Sequence, residues 1–187
     1  GKPDAKGAAS GGPATVNPRL LGALLTGVNR ALPYVAPDRQ APLVEAHSPA
    51  LFKMAHNPNL GASVQALLLL HQLMAGQEAE SGRFYRALYA TLLHPELPRS
   101  TKGPLFLSLL FKALREDLSV KRVAAFAKRL AQVAVMARPE FGCGCLFLLS
   151  ELLKEKKALW EYILQRQEAG DSLERFKDDD EGGGLGG

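Results

Sequence analysis

At 187 residues, with 47% hydrophobic and 22% charged side chains, the chain has the make-up of one globular domain with a sizeable core, which excludes a wholly disordered protein. Its longest apolar runs, such as Ala66 to Leu70, fall far short of the roughly 20 residues a membrane-crossing helix needs, and the first residues carry no basic-then-apolar secretory pattern. A soluble, intracellular protein without membrane contact is expected, and the formal net charge of +4 points to an acidic partner.

Residues 1–16 are Gly, Ala, Ser and Lys with almost nothing to bury, so the composition predicts a flexible lead-in. Asn17-Pro18 then places a capping side chain before a proline at the first helical position, ahead of RLLGALLTGVNRAL. Ser48-Pro49 repeats the device before ALFKMAH and predicts a second helix starting there. A third spans 60–74, with Gly76 as its stop. Further helices are predicted at 82–93, 104–115, 120–137, 140–154 and 157–167. Residues 168–187 form an acidic, Gly-rich tail predicted to be disordered.

Period-2 alternation is absent, so the fold class is all-α. Short connections make consecutive helices antiparallel neighbours, and pairing them as 60–74 with 82–93, 104–115 with 120–137 and 140–154 with 157–167 gives a repeat of about 40 residues. That period predicts an α-solenoid of HEAT/armadillo-like hairpins over residues 17–167, with a closed bundle as the alternative.

The charge is unevenly spread. Residues 17–167 hold 19 Lys/Arg against 11 Asp/Glu, and residues 168–187 hold 2 against 7. Within the helical region, residues 83–138 carry 11 basic against 3 acidic groups, so the whole excess sits in one third of the chain and makes nucleic acid the first candidate partner. The stretch KRVAAFAKRLAQVA, 121–134, concentrates it. On a helical wheel Val120, Val123, Phe126, Ala127, Leu130, Val133, Ala134 and Ala137 make one apolar stripe. Lys121 and Lys128 form one outer column, Arg122 and Arg129 a second, and no acid stands between them within the helix. These four are the candidate nucleic-acid-binding residues. Cations on a helix exterior meet phosphates and bind without reading sequence, and a solvated face is the competing interpretation.

Other motifs point to structure. Phe141-Gly142-Cys143-Gly144-Cys145 has only two thiols, one residue apart, with no His beside them, so close helix packing is expected in place of a metal centre. His47, His56, His71 and His94 are scattered, and Asp178–Glu181 reads as a solvated acidic run. Tyr85, Leu88, Tyr89 and Leu92 stand at core spacing with Arg83 and Arg86 alongside, which predicts an aromatic core in preference to a base-stacking platform. No phosphate-binding loop, nucleophile elbow or catalytic carboxylate pair is present, so no catalytic residues, cofactor, metal or small-molecule substrate are expected.

Taken in order, LLGALLTGVNRALPYV (20–35), LFKMAHNPNLGASVQALLLLHQLM (51–74), GRFYRALYATLLHPEL (82–97), PLFLSLLFKALRED (104–117), VKRVAAFAKRLAQVA (120–134) and GCGCLFLLSELLKEK (142–156) closely resemble the CCAAT-binding factor domain of the nucleolar complex proteins, which are large-subunit ribosome assembly factors. The resemblance covers roughly residues 17–157. It implies a non-enzymatic helical-repeat scaffold in the nucleolus, a heterodimer with a second nucleolar complex protein, membership of early pre-60S particles and contact with pre-rRNA. Family members are several times longer, so the resemblance implies a slice of a larger molecule. The family often has an acid where His94 precedes Pro95, uninterrupted polar helix start where Gly103-Pro104 stands, and no Gly-rich acidic ending. The competing functions are a transcription regulator of CCAAT-box promoters, for which no groove-reading arrangement is visible, and a purely protein-binding module whose basic face meets an acidic partner.

Overall fold

A computed structural model describes residues 17–74 and 81–164. The expected lead-in (1–16), the acidic tail (168–187), the helix stop at Gly76 and the final turn at 165–167 lie outside the described residues. Those residues form eight α-helices and two 3-10 turns, and no strand occurs among them. The helices are α1 (Pro18–Ala31), α2 (Pro37–Ala55), α3 (Leu60–Leu73), α4 (Ser81–Leu92), α5 (Gly103–Glu116), α6 (Val120–Met136), α7 (Pro139–Glu155) and α8 (Leu159–Leu164).

Local chemistry sets most of these boundaries. The Asn17 side chain accepts the Arg19 N–H at 2.9 Å and Pro18 opens α1, as the sequence indicates. Asn59 caps α3 through the Ala62 N–H at 3.0 Å, a type of contact that contributes about 1 kcal/mol. Before the 3-10 turn Leu97–Arg99, His94 Nδ1 accepts the Glu96 N–H at 3.2 Å, the acceptor role an acid would fill at that position.

One boundary departs from expectation. Ser48-Pro49 does not start a helix; α2 runs through both Pro42 and Pro49. Each internal proline removes a backbone hydrogen bond, at a cost of about 3 kcal/mol in an isolated helix. Burial of Ser48, Leu51, Phe52 and Ala55, with α2 packed along α3, outweighs that local preference.

α3 is the hub. Ten of its residues are buried, from Leu60 to Leu73, so it has no wet face, as befits a helix surrounded by α1, α2, α4 and α5. Two polar contacts anchor it: Ser63 Oγ donates to the Ala55 carbonyl at 2.6 Å, and Asn29 Nδ2 reaches the Gln65 carbonyl at 2.9 Å. The apolar residues form one continuous core from Leu25 to Leu159, with Leu67, Leu70, Leu88, Phe106, Leu114, Phe126 and Leu130 fully enclosed.

The helices lie in two rows. α1, α3, α5 and α7 pack in succession; α2 meets α4, α4 meets α6 through Tyr85 and Tyr89 on Phe126, and α6 meets α8. The pairing differs in detail from the expected hairpins, since α5 packs chiefly on α7 and α8 on α6. The single apolar stripe of α6 explains the shift: it is shared among α4, α7 and α8, leaving little to offer α5.

Glycines mark the tight crossings. A Cβ on Gly142 would lie 3.0 Å from the Ala134 carbonyl oxygen, and one on Gly144 would lie 2.9 Å from Leu107 Cδ1. The small residues of the Gly-Cys-Gly-Cys run thus let α7 approach α6 and α5 closely. Cys145 is fully buried, and burial pushes its thiol up to about 11; Cys143 is exposed, and the two are not bonded. Gly103, where the sequence departs from the family it resembles, is likewise sterically fixed: a Cβ would sit 3.0 Å from the Phe141 ring.

Candidate nucleic-acid interface

Ser119 caps α6 by accepting the Arg122 N–H, and the helix then buries Val123, Ala124, Phe126, Ala127 and Leu130. Val120, Val133, Ala134 and Ala137 complete the stripe against the core, as the wheel predicts. The two cationic columns on the other side have different surroundings.

The arginine column lies along the seam with α4. Arg122 Nε and Nη2 donate to Asp117 Oδ2 at 2.6 Å and Oδ1 at 2.7 Å, and the guanidinium sits 4.1 Å from the Tyr85 ring centre. Asp117 is almost fully enclosed, at 1% side-chain exposure, and also accepts the Ser119 N–H at 2.8 Å. Its backbone carbonyl takes the Lys156 ammonium at 2.7 Å. The hydrogen bonds to Asp117 raise the Arg122 pKa above the usual arginine value. Burial, with Asp117 adding to it, pushes the Tyr85 phenol up to about 12, and that phenol donates to the Ala113 carbonyl at 2.9 Å. Arg122 therefore has its acid, five residues before it in the α5–α6 connection, and its fork is occupied.

Arg129, seven residues on, is held more loosely. Its Nε donates to the Tyr89 hydroxyl at 3.3 Å and its Nη1 to Gln132 Oε1 at 2.9 Å, with the guanidinium 5.9 Å from the Tyr89 ring centre. No carboxylate pairs with it among the described residues. Lys121 is exposed and Lys128 half-buried. Together Lys121, Lys128 and Arg129 line an open pocket of about 440 Å³ whose remaining wall includes Gln132, Tyr89 and Tyr162, with no acid in it.

Of the four residues the sequence singles out, the fold thus gathers Lys121, Lys128 and Arg129 around one pocket and turns Arg122 into the α4–α6 seam. Sequence reading missed Gln132 and Tyr162. Gln132 is four residues from Lys128 and lies on the same helix face, so the wheel held the signal. Tyr162 reaches the pocket only because α8 folds onto α6. The aromatic stripe of α4 is core as expected, with Leu88 and Leu92 buried, Arg83 stacked 4.3 Å from the Phe52 ring centre, and Tyr85 and Tyr89 half-buried along the arginine column.

Among the described residues no three His, Cys, Asp or Glu side chains gather as a metal site. His71 stands against Phe84 and 3.3 Å from Glu116; desolvation lowers its pKa, against the opposing pull of that carboxylate.

Protein SLOW WALKER 2 of Arabidopsis thaliana is 46% identical over 172 residues, 91% of this chain and 16% of the relative. Ribosome biogenesis protein NOC1 of Chaetomium thermophilum is 43% identical over 168 residues, 89% of this chain and 16% of the relative. CCAAT/enhancer-binding protein zeta of Homo sapiens is 44% identical over 168 residues, with the same coverage of 89% and 16%. The chain therefore spans about a sixth of the length of these relatives. Residues 63–183 match the CBF/Mak21 family, a span that takes in α4 to α8 and every residue of the basic pocket, and the chain belongs to that family.

Proposed function

We propose that this region is a non-enzymatic helical-repeat scaffold of large-subunit ribosome assembly in the nucleolus, binding pre-rRNA through Lys121, Lys128 and Arg129 and a second nucleolar complex protein through its apolar faces. The observation that carries the RNA contact is the acid-free pocket on α6, where three cations stand beside Tyr89, Tyr162 and Gln132. Phosphates pair with such cations without sequence preference, and phenol rings offer faces on which unpaired bases stack. The name of the fungal relative, a ribosome biogenesis protein, supplies the process.

The two-row packing supports a HEAT/armadillo-like solenoid, in which each pair of helices buries its stripe against the next. Its exposed apolar residues support partner contact. Leu20, Leu24 and Val28 make a stripe on α1, Leu146 and Trp160 share an open groove between α7 and α8, and Phe147 is exposed beside α5. These would meet neighbouring repeats of the full-length protein and the heterodimer partner in the pre-60S particle.

The test is RNA binding by the full chain against the variant Lys121→Glu/Lys128→Glu/Arg129→Glu. The reversal is expected to lower affinity at least tenfold and to flatten the salt dependence with helical content intact. Retained affinity at low salt would remove the pocket from the RNA interface. The name of the human relative favours a second reading, a regulator bound to CCAAT-box DNA. Competition by CCAAT duplex over scrambled duplex, with pre-rRNA a weak competitor, would select it.

A further inference from the structure

A second cleft lies in the other row of helices, between α1, α3 and the start of α5. It is open, about 620 Å³ in volume, and its charged lining is Arg19, Arg30 and Lys102, with no carboxylate. None of the three cations is in an ion pair among the described residues. We infer that this cleft is a second anion site that takes a phosphate of an RNA backbone, on a row of helices different from that of the α6 pocket.

Three observations converge on it. The first is Gln65, 93% buried by its 7% exposure, which lines the cleft. Its Oε1 accepts from Asn29 Nδ2 at 3.0 Å, which fixes the amide so that its NH2 is the free end, and that NH2 donates to no group among the described residues. The end of the Gln65 amide that meets the open cleft is therefore a donor, and an anion there would accept from it. The second is the start of α3: Asn59 uses the Ala62 N–H, so those of Leu60 and Gly61 have no acceptor within the helix. Gly61 lines the cleft, and its missing side chain keeps the way to that N–H open beneath Lys102, whose Cε would lie 3.9 Å from a Cβ there.

The third is a contrast among the glycines. Gly103, Gly142 and Gly144 sit where a Cβ would meet a neighbouring group at 3.0 Å or less. Gly22 and Gly27, both in α1 and both lining the cleft, have nothing within 4 Å of the Cβ position. A glycine inside a helix is less favourable than alanine. No packing within the described residues accounts for these two, whereas a bare helix wall gives a sugar–phosphate chain close approach to the cations at either end, Arg19 and Arg30. A polymer that runs along the trough suits this length of cleft better than an isolated anion, and the inference rests on the proposal that this region binds RNA.

The experiment follows the Gly61 amide and the Gln65 side-chain NH2 by 1H–15N spectroscopy in the full chain, first with inorganic phosphate and then with a short oligouridine. Both probes are expected to give saturable shifts at both groups. Gly27→Glu, which puts an acid into open space at a position where any side chain favours the helix, is expected to abolish the shifts and weaken oligouridine binding at least threefold. Gly27→Ala is the control and is expected to leave both unchanged. Absence of saturable shifts with either probe would overturn the site, as would shifts that persist in Lys102→Gln combined with Gly27→Glu. Phosphate shifts without any loss of oligouridine affinity in Gly27→Glu would overturn the RNA assignment. The two RNA contacts are separable: if the α6 charge reversal leaves affinity intact while Gly27→Glu reduces it, the α6 reading fails and this one stands.

Discussion

Lys121 and Arg122 are adjacent in sequence and equal in charge, yet they face different worlds. On the arginine side of α6 the α5–α6 connection supplies a buried carboxylate and α4 two phenol rings, and Arg122 becomes part of the packing. On the lysine side α8 contributes Tyr162 and no acid, and the cations are left open to solvent. The sign of a charge therefore says little about its role until the groups across the seam are known. An enclosed Asp117 demands a fixed partner, whereas an open pocket demands none.

The sharpest way to break this comparison is Arg122→Met. It would leave the Asp117 carboxylate enclosed with only the Ser119 N–H to satisfy it, a loss expected near 3 kcal/mol by urea unfolding. A loss under about 1 kcal/mol would mean that the ion pair is replaceable by water and that the arginine side is as open as the lysine side.

That ion pair also marks the limit of sequence reading. The apolar stripe of α6, the cap at Asn17 and the core spacing of α4 are legible because each depends on residues within a turn or two of one another. Asp117 and Arg122 are five apart but straddle the start of the helix, so a wheel that begins at Val120 cannot show their contact. Tyr162 joins the pocket through packing between α6 and α8, a tertiary event with no local signature. The same holds for α2, where prolines at 42 and 49 argue locally for a break and burial against α3 prevails. Of the four candidate cations, the fold gathers three around one pocket on α6, and the fourth is turned into the seam by Asp117, a neighbour the wheel could not place.

A smaller effect is expected from Tyr85→Phe, which keeps the ring under Arg122 and removes the hydrogen bond to the Ala113 carbonyl. About 1 kcal/mol should be lost near neutral pH. The pH dependence is more diagnostic. The folded phenol is pushed up to about 12 from an ordinary value of 10.0, so the folded protein holds a proton that the unfolded chain gives up. The contribution of this group is present in full below pH 10 and is lost as pH rises towards 12. Urea midpoints measured across that window should fall more steeply in the native chain than in Tyr85→Phe. Parallel slopes would show that the phenol is not enclosed.

The smallest stability change is expected on the lysine side. Lys121→Gln with Lys128→Gln removes two cations that make no ion pair among the described residues, so unfolding free energy should move by less than about 0.5 kcal/mol. The same pair of substitutions should reduce the slope of log affinity against log salt for single-stranded RNA by about 1.4, because each phosphate that a lysine neutralises adds about 0.7 to that slope. These two readouts must separate for the comparison to hold. Stability falling along with the salt slope would place the lysines in the packing beside Arg122, and an unchanged slope with unchanged stability would make them a solvated face.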